Sequence, residues 1–334
     1  MRRYRKILVL VAFVFGAVLL ACIERGITGS LITQKLAERW SKEEFAQFAC
    51  YFTEEAYFDK SQILSVEWNL VSAMEEASVT SENEYGGRNW IDAYSTQGQL
   101  SIGSSRGSME VRTFGVGGDF FQFHPLMLLD GNYFDAADEN EDWVIIDEMV
   151  AWQLFGSNNV SGMQVEINGA LYPIRGVVRS DVGIFSEAVK EETPTIYVSY
   201  RLLEGKEQSL PIECYEVLVA NPVKGFAKDA VVKALGMKEE NYELIECSSR
   251  FDLQQRFEVI KNFGIRSMTT KNIVFPYWEN RARGYEDISA LFLILEMICM
   301  IYPVCWMMKK SYDYWKCRKE IKNKLMEKCK KIGD

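Results

Sequence analysis

The chain holds a single histidine, His124, in 334 residues. A Ser-His-Asp triad, a histidine-rich metal centre and a histidine relay therefore all lack parts. His124 stands beside Pro125 in a turn, where a satisfied structural role is expected. Cysteine is commoner but poorly placed for chemistry. Of the eight, Cys22, Cys299 and Cys305 lie in apolar runs and Cys317 and Cys329 in a basic tail, which leaves Cys50, Cys214 and Cys247. With no C-x-x-C, neither a zinc knuckle nor a thioredoxin-type pair is supported. The odd number favours buried free thiols over a Cys214–Cys247 disulfide. There is no Walker sequence and no G-x-S-x-G, so no ATPase or serine hydrolase is indicated. No catalytic residue, metal site or cofactor is assigned.

Positive charge is scarce in the middle of the chain. Arg2, Arg3, Arg5 and Lys6 open it, ten Lys or Arg follow from Lys309 onward, and the segment between is strongly acidic, giving a net charge of -9. That distribution excludes nucleic acid, because phosphate binding needs the opposite sign. What the chain does have is apolar length. Ile7–Ile23 is 17 uncharged residues, about 25 Å as a helix and slightly short of the roughly 30 Å hydrocarbon core. Lys6 and Glu24 at its ends can snorkel to make up the difference. Ile288–Met308 is 21 residues and spans even with Pro303 near its end. Basic flanks outside both runs put both termini in the cytoplasm. The expected order is a cytoplasmic N-terminus 1–6, span 7–23, an extracytoplasmic segment 24–287, span 288–308 and a basic cytoplasmic tail 309–334. The competing reading of the first run is a cleaved signal. Leu19-Leu20-Ala21-Cys22 approximates a lipoprotein box that would leave Cys22 lipidated, although leucine before the alanine is atypical.

Within the spans, Ala12 with Gly16 forms a small-xxx-small pair that lets another helix approach, and Ala17 with Ala21 forms a second. Glu296 is a carboxylate at mid-span, which costs a few kcal/mol and tends to face protein or water. It is read either as an interhelical hydrogen bond to a partner subunit or as a neutral acid beside its own first helix. In the tail, Tyr312 and Trp315 stand among basic residues. The reading is a snorkelling helix at the anionic inner leaflet, against docking to a cytoplasmic partner through Trp315.

Along the outer segment, Ile27–Lys42 has helical spacing in Leu31, Ile32, Leu36 and Trp40 and extends the first span as a stalk. Phe48, Cys50 and Phe52 share a strand face. Ile63–Ala77 is an amphipathic helix carrying Leu64, Trp68, Val71 and Met74, capped by Ser61. Three short strands follow, Trp90–Tyr94, Leu100–Ile102 and Met109–Phe114, with turns at Gly86-Gly87, Gly98, Gly103 and Gly107. Gly103 to Gly107 lacks the lysine and helix of a phosphate loop and reads as a hairpin turn. The acidic run Asp135, Asp138, Glu139, Glu141 and Asp142 fails EF-hand spacing and reads as a solvated loop. Ser180–Thr193 is a surface loop, Thr195–Ser199 a strand, and Tyr200–Leu203 a short helix. Glu213–Ala220 and Tyr242–Cys247 are strands flanking a helix from Asn221-Pro222 to Leu235, and Phe251–Phe263 is a further helix. The two strand-helix-strand patterns enclose a β-rich insert.

That insert holds the most informative stretch, Gly117–Val178. Asp119-Phe120-Phe121 turns after paired glycines, Pro125–Leu129 is apolar, and Gly131 to Phe134 turns again. Trp143–Ile146 is a strand and Asp147 caps a helix, Glu148–Leu154, that stops at Gly156. Gly162 then introduces a hairpin with Val165 in its first strand, Asn168-Gly169 at its turn and Gly176-Val177-Val178 on the return. This ordered set resembles the extracytoplasmic core domain of MacB-type and FtsX-type ABC transporter permeases. The resemblance implies an α+β outer domain of split β-α-β halves around a β-rich insert, set in a bacterial cell membrane. It transfers no catalytic residue.

A permease of that family has four spans and uses ATP-driven movement of them to shift the outer domain. Two spans imply a partner permease or self-association, with a separate ABC ATPase and membrane lipids as further partners. The function read is a non-enzymatic membrane subunit acting in export or envelope remodelling. The alternative is a membrane-anchored extracellular binding or sensing module without transport.

Overall fold

The computed structural model describes residues 2–42, 44–80, 87–135, 138, 142–179, 193–204, 210–266 and 271–332. The surface loop expected at 180–193 lies outside them except for Thr193, as do Gly86, Glu139 and Glu141. The chain divides into two compact units, Met1–Ser30 with Asp287–Asp334, and Leu31–Glu286.

In the first unit, α1 runs Arg2–Gly29, and the other helix of the unit is the later part of a 56-residue helix described below. Both are long and apolar enough to cross a membrane. They touch through Phe13 and Tyr302, 5.5 Å between ring centroids, and the Ser289 hydroxyl donates to Glu24 Oε1 at 2.5 Å. Helix α1 stops at Gly29, so the stalk expected through Lys42 is not continuous. A 3-10 turn, Ile32–Gln34, and a short α2, Leu36–Trp40, follow instead. Leu31, Leu36 and Trp40 are buried, whereas Ile32 is exposed.

The second unit is built on one sheet. Strand β1, Phe45–Phe52, leads to α3, Lys60–Glu76. Asp59, not Ser61, caps α3, because its carboxylate accepts from the Ser61 and Gln62 amides while Gln62 returns a bond to the Asp59 amide. The packed stripe of α3 also differs from expectation. Ile63, Val66, Leu70 and Met74 are buried, while Leu64 and Trp68 are 61% and 74% exposed. Both sets have helical spacing, and the sheet takes the first.

The short strands expected next are two long ones, β2, Trp90–Ser104, and β3, Gly107–Gly118, paired along their length as a hairpin. Gly98 lies inside β2 rather than at a turn. A Cβ there, or at Gly115 on the neighbouring β3, would press on Leu203, so the glycines open the space that this leucine fills. Then come α4, Phe120–Phe123; β4, Met127–Gly131; β5, Val144–Asp147; and α5, Glu148–Phe155. Helix α5 follows the sequence reading: Asp147 accepts from the Val150 amide at 2.8 Å, and Gly156 ends the helix at φ 74°. Strands β6, Gln164–Ile167, and β7, Ala170–Arg179, form the expected hairpin, with Asn168 and Gly169 both at positive φ. Strand β8 is Thr195–Ser199, followed by α6, Tyr200–Glu204. Strand β9 is Cys214–Ala220 and α7 is Phe226–Leu235, starting after Asn221-Pro222 rather than at it. Strand β10 is Tyr242–Glu246, then α8 is Leu253–Lys261, α9 is Phe263–Arg266 and α10 is Tyr277–Ile332.

The sheet order is β10-β1-β9-β2-β3-β8-β5-β7-β4, with β6 against β2 and β7. Strand β9 sits antiparallel between β1 and β2, and β1 sits antiparallel between β10 and β9. The two units β1-α3-β2 and β9-α7-β10 are thus each split by a strand of the other. Helices α3 and α7 cover one face, where Phe48, Cys50, Val66, Leu70, Val217 and Val231 meet. Every residue of β1 is buried, because the opposite face is covered as well, by Trp40, Phe120 and Trp278 near Phe45 and by Ile273 near Tyr51. On that face Gln47 is fully buried and satisfied, accepting from the Leu36 amide and donating to the Thr33 carbonyl.

Candidate functional site

The charged centre of the second unit lies where the start of α10 meets β10, α8 and α9. Glu279, Arg283 and Glu286 are spaced i, i+4 and i+7, so they form one stripe on α10. Arg250, at the turn before α8, is buried with Glu279. Its Nη2 donates to Glu279 Oε2 at 2.7 Å, and its Nε stands 3.4 Å from Glu286 Oε1. Glu279 also accepts from the Tyr51 hydroxyl at 3.1 Å and from Arg283 Nε at 3.0 Å. Arg283 Nη2 donates to Glu243 Oε1 at 2.6 Å, with the guanidinium 3.8 Å from the Phe275 ring centroid. Arg266, at the end of α9, donates to Glu286.

Electrostatics follow from this packing. Burial works against the Arg250 charge, but Glu279, Cys247 and Glu286 outweigh it and hold its pKa above the usual value. Burial raises the Glu286 pKa, against the attraction of Arg250 and Arg266. Beside the stripe lies a cleft of about 460 Å³ lined by Lys228, Glu246, Gln255 and Asn262 together with the paired charges. Mixed and mutually neutralised charge makes this a rivet for the base of α10. It assembles no nucleophile with a base.

His124 has the structural place expected of it, in the turn after α4. Its Nε2 is 2.5 Å from Glu216 Oε2, and its ring packs between Phe120 and Trp278 at 4.6 and 4.5 Å. Phe120 and Phe121 of the D-F-F turn are buried around Tyr197. Asp92 is another buried acid: burial first, then Glu67, pushes its pKa up to about 7, and the Tyr215 hydroxyl donates to it at 2.9 Å. Cys50, Cys214 and Cys247 are buried free thiols, and burial raises the pKa of each, which suppresses their thiolate. Asp138 pairs with Arg175 at 3.5 Å. Among the described residues no cluster of His, Cys, Asp or Glu could hold a metal ion.

The partner-contact candidates lie in the other unit. Ala12 is exposed on α1 and Gly16 half-buried, with nothing within 4 Å of a Cβ built there. Glu296 is half-buried on α10 and Trp315 is 59% exposed. The charged stripe was missed in the sequence. Its signal was the i, i+4, i+7 spacing of Glu279, Arg283 and Glu286 directly before an apolar run.

A model of the MacB-like periplasmic core domain matches residues 50–235. The chain belongs to this family, whose domain is the periplasmic part of ABC-type transporter permeases, here flanked by two apolar helices. Similar solved structures include the extracellular domain of the noncanonic ABC-type transporter YknZ from Gram-positive bacteria, 16% identical, covering 60% of this chain and 99% of that one, TM-score 0.40. The periplasmic region of MacB from Actinobacillus actinomycetemcomitans is 15% identical, covering 67% and 94%, TM-score 0.43. A domain of a putative permease from Porphyromonas gingivalis is 12% identical, covering 61% and 88%, TM-score 0.33. No curated protein matches the chain.

Proposed function

We propose that this chain is a non-enzymatic membrane subunit of an ABC transport system, acting in export or envelope remodelling through its MacB-like core. The observation that carries the reading is the family match over residues 50–235, between two helices apolar enough to span. In this reading residues 7–23 and 288–308 cross the membrane, 24–287 lie outside, and the basic ends 1–6 and 309–334 lie in the cytoplasm. ATP is hydrolysed by a separate ATPase. A partner permease or a second copy of the chain packs on Ala12 and Gly16, accepts or donates a hydrogen bond at Glu296, and leaves Trp315 at the inner leaflet or on the ATPase.

Glu279, Arg283 and Glu286 hold the start of α10 to β10, α8 and α9. Purification of the full chain in mild detergent tests the proposal. An ABC ATPase or permease subunit should co-purify, with Glu296→Leu weakening the association. Recovery of the chain with neither attached overturns it.

A further inference from the structure

We propose that the segment α8–α9 lies on the outer leaflet of the membrane, its outward apolar side chains seated at the boundary between headgroups and acyl chains. The inference rests on the two-span reading above. Helix α8 has two apolar faces. Val259 points into the protein and is buried, while Leu253 and Phe257 are exposed and Ile260 half-buried at i, i+4 and i+7. Gln254, Glu258 and Lys261 occupy the arc on the other side of that stripe. The apolar surface continues into α9, where Phe263 and Ile265 are each 63% exposed. So much adjoining apolar surface marks a contact.

The location says what the contact is. Arg250, just before α8, and Arg266, at the end of α9, both reach Glu286. The segment is therefore held at both ends to one residue, and α8 is only about 13 Å long. Glu286 stands two residues before Ile288, where the apolar run of α10 begins. Connectivity alone places Glu286 at the outer edge of the bilayer, and the two arginines bring α8–α9 to the same level. Exposed phenylalanine, leucine and isoleucine at that level lower the free energy by leaving water for the interface, while Arg256 and Lys261 remain within reach of lipid phosphates.

The exposed stripe of α3 provides the control, since Trp68 is equally apolar and more exposed but has no tie to Glu286. A photoreactive phenylalanine analogue is placed singly at Phe257, Phe263 and Trp68 of the full chain, reconstituted in phosphatidylcholine/phosphatidylglycerol vesicles. Mass spectrometry then reads lipid adducts. Adducts at 257 and 263 should exceed those at 68 by about ten-fold or more. Yields at 257 and 263 equal to that at 68, or adducts to a second copy or another protein in place of lipid, overturn the proposal. Alkaline extraction of the same vesicles separates the failures. A chain that is extracted refutes the spans and this surface together, whereas a chain retained without adducts refutes this surface alone.

Discussion

Helices α3 and α8 present the same kind of outward apolar stripe, Leu64-Trp68-Val71 on one and Leu253-Phe257-Ile260 on the other, and each buries a different face. Spacing of three and four residues announces that a stripe exists, but a helix with two stripes leaves open which one packs. On α3 the choice falls to Ile63, Val66, Leu70 and Met74, the branched and flexible side chains that fit against β1 and α7. The two regions also bury carboxylates differently. Under the α3 side, Asp92 has a hydroxyl partner and is held near neutrality by burial, with an apparent pKa of about 7. Under the α8 side, Glu279 is matched by Arg250 and Arg283. One device depends on a proton and the other on a counter-ion.

The comparison yields a ranked set of tests on the full chain in detergent, read by denaturant unfolding. Arg250→Ala should cost the most, about 3 kcal/mol or more, because it leaves Glu279 and Glu286 short of a buried counter-charge. Leu70→Ala should cost about 3 kcal/mol by opening a cavity under α3, whereas Leu64→Ala on the outward stripe should change stability by about 0.5 kcal/mol or less. Equal losses at 64 and 70 would erase the distinction between the two faces.

Asp92→Asn should act with pH. In the folded chain the Asp92 pKa is raised from its ordinary value of 3.8 to about 7. Between those values the folded state keeps a proton that the unfolded state has released, so the contribution of Asp92 is present below the lower value and is lost as pH rises through the upper one. The variant should therefore gain up to about 4 kcal/mol over wild type at pH 8, a gain that vanishes near pH 4. A gain independent of pH would assign the effect to packing instead. Asp59→Ala should cost about 1 kcal/mol for loss of the α3 cap, with Ser61→Ala smaller still.

Legibility in the sequence followed the range of the interactions. Helix α5 was readable from Asp147 to Gly156 because cap, body and stop are all local, and the β6–β7 hairpin was readable because Asn168-Gly169 dictates its own turn. The strands at Thr195 and Tyr242 fell where β-branched and aromatic residues cluster. The length of β2 and β3 did not, because Gly98 and Gly103 look like turn residues until Leu203 is seen to lie over the first. Burial of Gln47 had no local sign either, since its partners Thr33 and Leu36 belong to the preceding turns.

By itself, the sequence determined the family, the order of most strands and helices and the two apolar runs, since these depend on composition, capping and short-range periodicity. Only the tertiary structure decided which face of α3 packs, how the two strand-helix-strand units interleave, and that Arg250 and Arg266 converge on Glu286. Those outcomes join residues far apart in the chain, and their free energy exists only once the sheet has brought them together.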